Sequence, residues 1–408
     1  MIDVSGRRRP RFGRLAGVLA AGVLAVGAVG LSASAGAAAT STASASHAAD
    51  AAASGGIAAS GGIAAQPRSA VPWSKVGPGW VLAEYGTASA GKSAPVTLYL
   101  ISPGGVRYTM RTWSGKGMIP YLIAWSGDKT RALLGTTGSG YEQLTLATGR
   151  LTTGKLAGKA QPMGYTTPDG LDLYGITEAN AGGAAAMVAR YSQAGRLLKV
   201  LTRGVGENTA VYGPNGATLA VSSSKGIELV SNGGGVIRSL PVPGTGTAIG
   251  CQPIRWWNAT TVLAQCIAKG ADASRLWLVP ANGKKPTALT PQRGNTGEDL
   301  GDIGAWRLPS GLYTQGLTGC GSMGIFKQAA NGSVTLVNVP NTQANNEVVS
   351  ALGARLLVHA QTGCLNSSSL LWFNPSTHAE QWLLRAPDKA EGVVGVVAFN
   401  STENALPF

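Results

Sequence analysis

Charge is scarce in this chain: Asp, Glu, Lys and Arg make up 13% of it, about half the usual share. A sequence so poor in Lys and Glu has little material for amphipathic helices, while its many Gly, Pro and Asn residues supply turns. Paired Cys-x-x-Cys spacings are absent, which removes the usual zinc sites and leaves no metal or cofactor expected. No Gly-x-Ser-x-Gly pentad follows the N-terminal region, and residues 319–324 (GCGSMG) lack the first glycine at the right offset. That removes the nucleophile elbow. Histidine is down to three: His47 lies in a low-complexity tract, His359 alternates within a strand and His378 reads as a hairpin turn. After Arg14 no Lys/Arg run with interleaved aromatics occurs, so nucleic acid is not the expected partner.

What is present begins with an address. Residues 7–14 are basic (RRRPRFGR), 15–31 are apolar and 32–37 are small, the order of an export signal with a cleavage site. A retained N-terminal anchor is the alternative, since the apolar run is near the lower limit for a bilayer span. Residues 38–70, with ASGGIAA repeated back to back, cannot bury enough apolar surface to order themselves and are expected to form a flexible linker. One domain is left, residues 71–408. Without residues 1–37, which carry five Arg and one Asp, the formal charge falls from +14 to +10. The exported part stays basic, which favours an anionic partner such as a wall polymer or phospholipid headgroups.

Residues 124–135 (AWSGDKTRALLG) place an aromatic before a turn and an apolar strand, and this unit recurs. Residues 165–176, 212–223, 256–266 and 306–317 repeat it, 351–361 repeat it without the aromatic, and 398–404 begin it. Taking Trp125, Tyr165, Tyr212, Trp257, Trp306, Leu352 and Phe399 as markers, the steps are 40, 47, 45, 49, 46 and 47 residues. A period of this length with two hairpins per unit predicts an all-β fold, the β-propeller. Before the first full unit only three strands are available (in 79–113), whereas 392–400 is an orphan inner strand. Docking the last strand into the first blade completes a seven-bladed ring and removes its open edges. Two β-sandwiches, the other all-β solution, predict a linker near the middle of 71–408, and none is visible.

The hairpin resembles the repeat of TolB-type, WD-like propellers of the bacterial envelope, whose units carry a Trp-Ser-Pro-Asp-Gly turn. Trp125-Ser126-Gly127-Asp128 is the best match, and only residues 165–170 retain Pro-Asp-Gly. The resemblance runs loosely over residues 79–400 and implies a fold and a protein-binding scaffold, with no catalytic residues to carry over.

Four cysteines follow the linker: Cys251, Cys266, Cys320 and Cys364. An even count in an exported chain predicts disulfides. Cys251 stands at the start of an inner strand and Cys266 at the end of the next strand, within bridging reach; Cys320 and Cys364 hold equivalent places in adjacent units. The expected pairs are Cys251–Cys266 and Cys320–Cys364, all on the face of the inter-blade and second-to-third-strand loops. On that face Trp256, Trp257 and Trp277 are candidate ligand contacts. So are Glu298, Asp299 and Asp302 of the acidic, Gly-rich inter-blade loop 294–302. The expected function is a secreted or envelope-associated, non-enzymatic propeller binding a protein, peptide or cell-wall polymer. The alternative is an envelope glycan hydrolase or lyase with carboxylates such as Asp299 or Asp302 in the central channel.

Overall fold

A computed structural model describes residues 64–399, apart from 88–94, 115–118, 167–171, 178–185, 224–225, 243–249, 268–270, 272, 293–298, 319–322, 343–344, 363–366 and 387–390, together with the side chains of 87, 206–209, 299, 318, 362, 367 and 391. Among the described residues no helix is long and apolar enough to cross a membrane.

Alternating apolar side chains and tight turns build seven sheets, one per blade, antiparallel except for one added edge strand in the first. Blade 1 takes β1 (Gln66–Pro67), β2 (Val81–Thr87), β3 (Val96–Ile101) and β4 (Arg107–Trp113). Blade 2 is β5 (Tyr121–Trp125), β6 (Arg131–Gly135), β7 (Gly140–Thr145) and β8 (Leu151–Lys155). Blade 3 is β9 (Gln161–Tyr165), β10 (Leu173–Thr177), β11 (Met187–Tyr191) and β12 (Leu197–Arg203). Blade 4 is β13 (Val205–Tyr212), β14 (Thr218–Ser223), β15 (Gly226–Ser231) and β16 (Val236–Leu240). Blade 5 is β17 (Cys251–Asn258), β18 (Thr261–Cys266), β19 (Arg275–Pro280) and β20 (Thr287–Ala288). Blade 6 is β21 (Asp299–Leu308), β22 (Gly311–Thr318), β23 (Met323–Gln328) and β24 (Val334–Leu336). Blade 7 is β25 (Asn345–Leu352), β26 (Arg355–Thr362), β27 (Ser367–Asn374) and β28 (Ala379–Leu384), and β29 (Glu391–Ala398) follows it.

The last strand closes the ring. In the first sheet the order is β1-β4-β3-β2-β29, so β29 is the inner strand of blade 1. It runs antiparallel to β2 from Val81↔Ala398 to Thr87↔Glu391, and Phe399 N–H donates to Trp80 O at 2.8 Å. The Phe399 ring meets the Trp125 ring of blade 2 edge-on at 5.0 Å. Apolar layers fill the spaces between blades; the largest joins blades 7, 1 and 2 and contains Leu82, Trp125, Trp372 and Val397.

The repeat markers lie within two residues of the inner-strand ends, and in blades 2 to 7 the turn after each leads into the second strand. In the motif Trp125-Ser126-Gly127-Asp128, Asp128 Oδ1 accepts from Ser126 Oγ at 2.5 Å and Thr130 N–H at 3.0 Å, while Oδ2 accepts from Thr130 Oγ1 at 2.8 Å. Burial pulls the Asp128 carboxyl upward, but the bonds from Ser126 and Thr130 and the charge of Arg131 outweigh it and hold it below its ordinary value. Lys129, in the left-handed region at φ 68, donates from Nζ to Val76 O at 2.8 Å and lies 5.5 Å from the Phe399 ring.

The fold reaches further back than Val71. Gln66–Pro67 adds in parallel to the outer edge of β4, where proline is tolerated, and Arg68 Nη1 donates to Met110 O at 3.1 Å. Two 3-10 turns, Arg68–Ala70 and Trp73–Lys75, then carry this strap to β2, with Val71 and Val76 buried in the seam.

Candidate functional site

The second strands carry polar residues among apolar ones: Glu84 on β2, Ser222 on β14, Gln265 on β18, Gln315 on β22 and His359 on β26. Three of them reach across to the inner strand of the next blade. Glu84 Oε2 accepts from Leu122 N–H at 2.8 Å, Gln315 Oε1 accepts from Val348 N–H at 3.1 Å, and His359 Nε2 lies 3.2 Å from Val393 O. The other ring nitrogen of His359 lies 3.2 Å from Glu347 Oε2, its partner in register on β25. Ser368 Oγ also donates to Val393 O.

Glu84 is the most perturbed carboxyl of this group. It is buried, Oε1 meets no partner among the described residues, and a Cβ on Gly395 of β29 would come 2.8 Å from Oε2. Burial pushes its pKa up to about 8, against a smaller lowering by the Leu122 hydrogen bond. These polar residues escaped the sequence reading. Their trace was a single polar residue inside a second strand with many apolar neighbours.

The first cysteine pair is a disulfide between Cys251 and Cys266, which stand opposite each other on β17 and β18 with Cα atoms 4.1 Å apart. Ile267 N–H bonds to Gly250 O in the neighbouring pair. The cysteines therefore occupy the non-hydrogen-bonded position, where strands approach most closely. Cys320 and Cys364 lie outside the described residues.

The candidate ligand contacts are distributed differently from the expectation. Trp256 is buried against blade 4 and donates from Nε1 to Val211 O at 3.2 Å, so it packs a blade interface and offers no open surface. Trp277 packs on the same blade-4 side, whereas Trp257 faces blade 6 beside Ala305 and Leu312. Trp257 is flanked by Arg255 at 5.1 Å and Arg307 at 6.0 Å, and Arg275 covers Trp277 at 5.0 Å. The three tryptophans thus divide between the two sides of one blade.

The acidic segment 294–302 is in part strand rather than loop, because β21 begins at Asp299. Asp302 is buried; its N–H donates to Ser274 O at 3.2 Å, and its carbonyl accepts from Ser274 Oγ at 2.9 Å. Gly301, at φ 88, permits this contact, since a Cβ there would meet Ser274 O at 2.1 Å. Asp302 is held in the junction of blades 5 and 6 and not in open solvent. Glu298 and the Asp299 side chain lie outside the described residues. Among the described residues no group of three or more His, Cys, Asp or Glu side chains is placed to hold a metal ion.

Charge is sorted by depth. Of the described carboxylates, Glu84, Glu228, Asp302 and Glu347 are buried, leaving Asp128, Glu142, Asp172 and Glu380 at the surface. Every described Lys and Arg except Arg255 reaches the surface.

No protein-family model matches the sequence, and no curated protein matches it. Solved structures do match. The β-propeller domain of the Trilobed protease from Pyrococcus furiosus, with its open velcro topology, has TM-score 0.50 and 10% identity over 74% of this chain and 94% of that one. A puromycin-hydrolyzing peptidase of Mycobacterium tuberculosis has TM-score 0.46 and 14% identity over 74% of this chain and 53% of that one. TolB from Acinetobacter baumannii has TM-score 0.39 and 11% identity over 82% and 89%. The likeness is one of fold. This chain spans about half the length of the mycobacterial peptidase (53%). With seven blades in a ring, six of four strands and the first of five, the expected resemblance to TolB-type and WD-like propellers holds at that level. Unlike the open velcro of the Pyrococcus domain, the ring here is sealed by β29 on β2.

Proposed function

We propose that this chain is an exported, envelope-associated propeller that binds its partner without transforming it, and that the partner is an anionic protein, peptide or wall polymer. The observation that carries this reading is the sorting of charge by depth, which among the described residues leaves a cationic exterior on a closed scaffold. Residues 1–37 act as the export signal, and the tract from residue 38 up to β1 acts as the linker. The contact face is the one bearing Cys251–Cys266, where a second cystine, Cys320–Cys364, stiffens the neighbouring blades. Trp257, with Arg307 beside it, supplies an aromatic and cationic contact between blades 5 and 6.

Retention of envelope components on the immobilised protein tests the reading. A protein or acidic polymer should be held at low salt and released as ionic strength rises. Failure to retain any protein or glycan would count against it. Turnover of a wall polysaccharide that is lost in Asp302→Asn would replace it with the hydrolase or lyase reading.

A further inference from the structure

The outer strand of a propeller blade has no neighbour beyond it, so apolar side chains there need a reason. On blade 3, β12 leaves Leu197 and Leu198 exposed; on blade 4, β16 leaves Val236 (49%) and Ile237 (54%) exposed. The other large exposed apolar residues among those described, Tyr121, Leu300 and Leu336, stand on separate strands.

The two outer strands form one surface. Gly235 N–H donates to Leu201 O at 2.9 Å, and the Lys199 stem lies over Gly234, where a Cβ would come 2.6 Å from its Cε. The surface continues onto blade 5, because the Arg238 guanidinium donates to Asn282 O beside Lys284 and Lys285. All of it lies at one edge of the ring: each apolar pair opens its outer strand, and the two lysines sit in the corresponding turn of blade 5. Arg196, Lys199, Arg238, Lys284 and Lys285 are exposed, and residues 192–203, 231–240 and 280–292 contain no Asp or Glu.

We propose that this rim of blades 3 to 5 docks on an anionic lipid bilayer. The four aliphatic side chains enter the interfacial layer and the five cations lie on headgroup phosphates. A soluble polyanion would use the cations but gain nothing from the aliphatics, whereas a bilayer surface engages both. Each cation near such a surface contributes about a fivefold gain in binding. The inference goes beyond the envelope ligand proposed above, and it needs neither that ligand nor residues 1–37.

Cosedimentation tests it with the chain from residue 64 onward, which keeps every described strand and the β2–β29 seam. Vesicles of phosphatidylcholine, with or without about one-third phosphatidylglycerol, provide the contrast. Binding should require phosphatidylglycerol and weaken with salt. Leu198→Ser with Ile237→Ser, and separately Lys284→Glu with Lys285→Glu, should each lower it at least about tenfold at an unchanged thermal midpoint. Absence of binding to the anionic vesicles would overturn the proposal. So would an apolar double variant that binds like the parent while the charge reversal does not, since that pattern belongs to a polyanion site. These outcomes are read with lipid alone, so they are separate from success or failure in retaining an envelope partner.

Discussion

The seam of blades 7, 1 and 2 and the outer wall of blades 3, 4 and 5 use polar side chains in opposite ways. At the seam Glu84 and Glu347 are buried, His359 and Ser368 converge on Val393 O, and Lys129 bridges Val76 and Phe399. On the wall the cations point outward and aliphatic side chains lie exposed among them. The seam must join segments more than 300 residues apart in one register. A slip of one residue would turn every β29 side chain to the other side of the sheet and would strand the buried polar groups. Directional bonds therefore add specificity where apolar packing alone would tolerate alternatives. The wall joins blades consecutive in sequence, needs no such key, and is free to face outward.

The sharpest way to break this comparison is to place one carboxylate in each region. Val397→Asp puts it into the seam opposite Leu82, both being buried. The cost should be about 4 kcal/mol or more, enough to open the ring. Ile237→Asp on the wall should cost less than about 0.5 kcal/mol. Urea titration of both variants reads the difference; equal losses would mean that the wall is as tightly determined as the seam.

A second test uses pH. In the unfolded chain Glu84 loses its proton in the ordinary carboxyl range, whereas in the folded seam it keeps it up to about pH 8. Stability should therefore fall as pH rises from roughly 4.5 to 8 and level off above that, by on the order of 4 kcal/mol. Glu84→Gln keeps an acceptor for Leu122 N–H and removes the charge. It should gain most of that amount at pH 9 and nothing at pH 4, as thermal midpoints across the range would show. A variant that is less stable at pH 9 would mean that the ionised carboxylate is the working form.

Next in size is the covalent link inside blade 5, on the axis side of the wall. Cys251 and Cys266 close a loop with a sequence separation of 15. Replacing both by Ser should cost about 3 kcal/mol in the oxidised protein. The loss should fall on blade 5 and spare the seam, so hydrogen exchange should quicken in β17 and β18 before β29. Uniform quickening would mean that the two regions unfold as one unit.

Much of this was legible in the sequence. Each hairpin needs a turn residue after its inner strand and an apolar run after the turn, so Trp125, Tyr165 and Tyr212 marked inner-strand ends and Trp306 fell two residues short of one. The orphan strand before Phe399 marked the closure. Cys251 and Cys266 were legible for the same reason, because hairpin register sets them opposite each other. The site was less legible. Trp256 and Trp257 are neighbours on one strand, so period-2 geometry sends them to opposite sides. The acidic segment resembled a loop because it is rich in glycine, but Gly301 serves the close approach of Ser274, and the strand takes in Asp299 and Asp302. Glu84, Gln315 and His359 reach the inner strand of the next blade only once the blades stand side by side, which no local pattern displays.

The smallest effect lies at the repeat's own turn, where the seam meets blade 2. Asp128 gathers Ser126 Oγ, Thr130 N–H and Thr130 Oγ1, and the adjoining Lys129 reaches the strap. Asp128→Ala removes these acceptors from an exposed side chain, so the loss should be about 1 kcal/mol at neutral pH. Because the native carboxyl is held below its ordinary value, its contribution is present above the ordinary Asp range and fades as pH falls through the folded value. Wild type and Asp128→Ala should therefore converge in acid, while wild type and Glu84→Gln separate in alkali. Thermal midpoints of the two variants across pH give opposite trends if one turn clamps the ring by accepting hydrogen bonds and one buried acid seals it by keeping its proton. Parallel trends would mean that both carboxyls act only through the net charge of the domain.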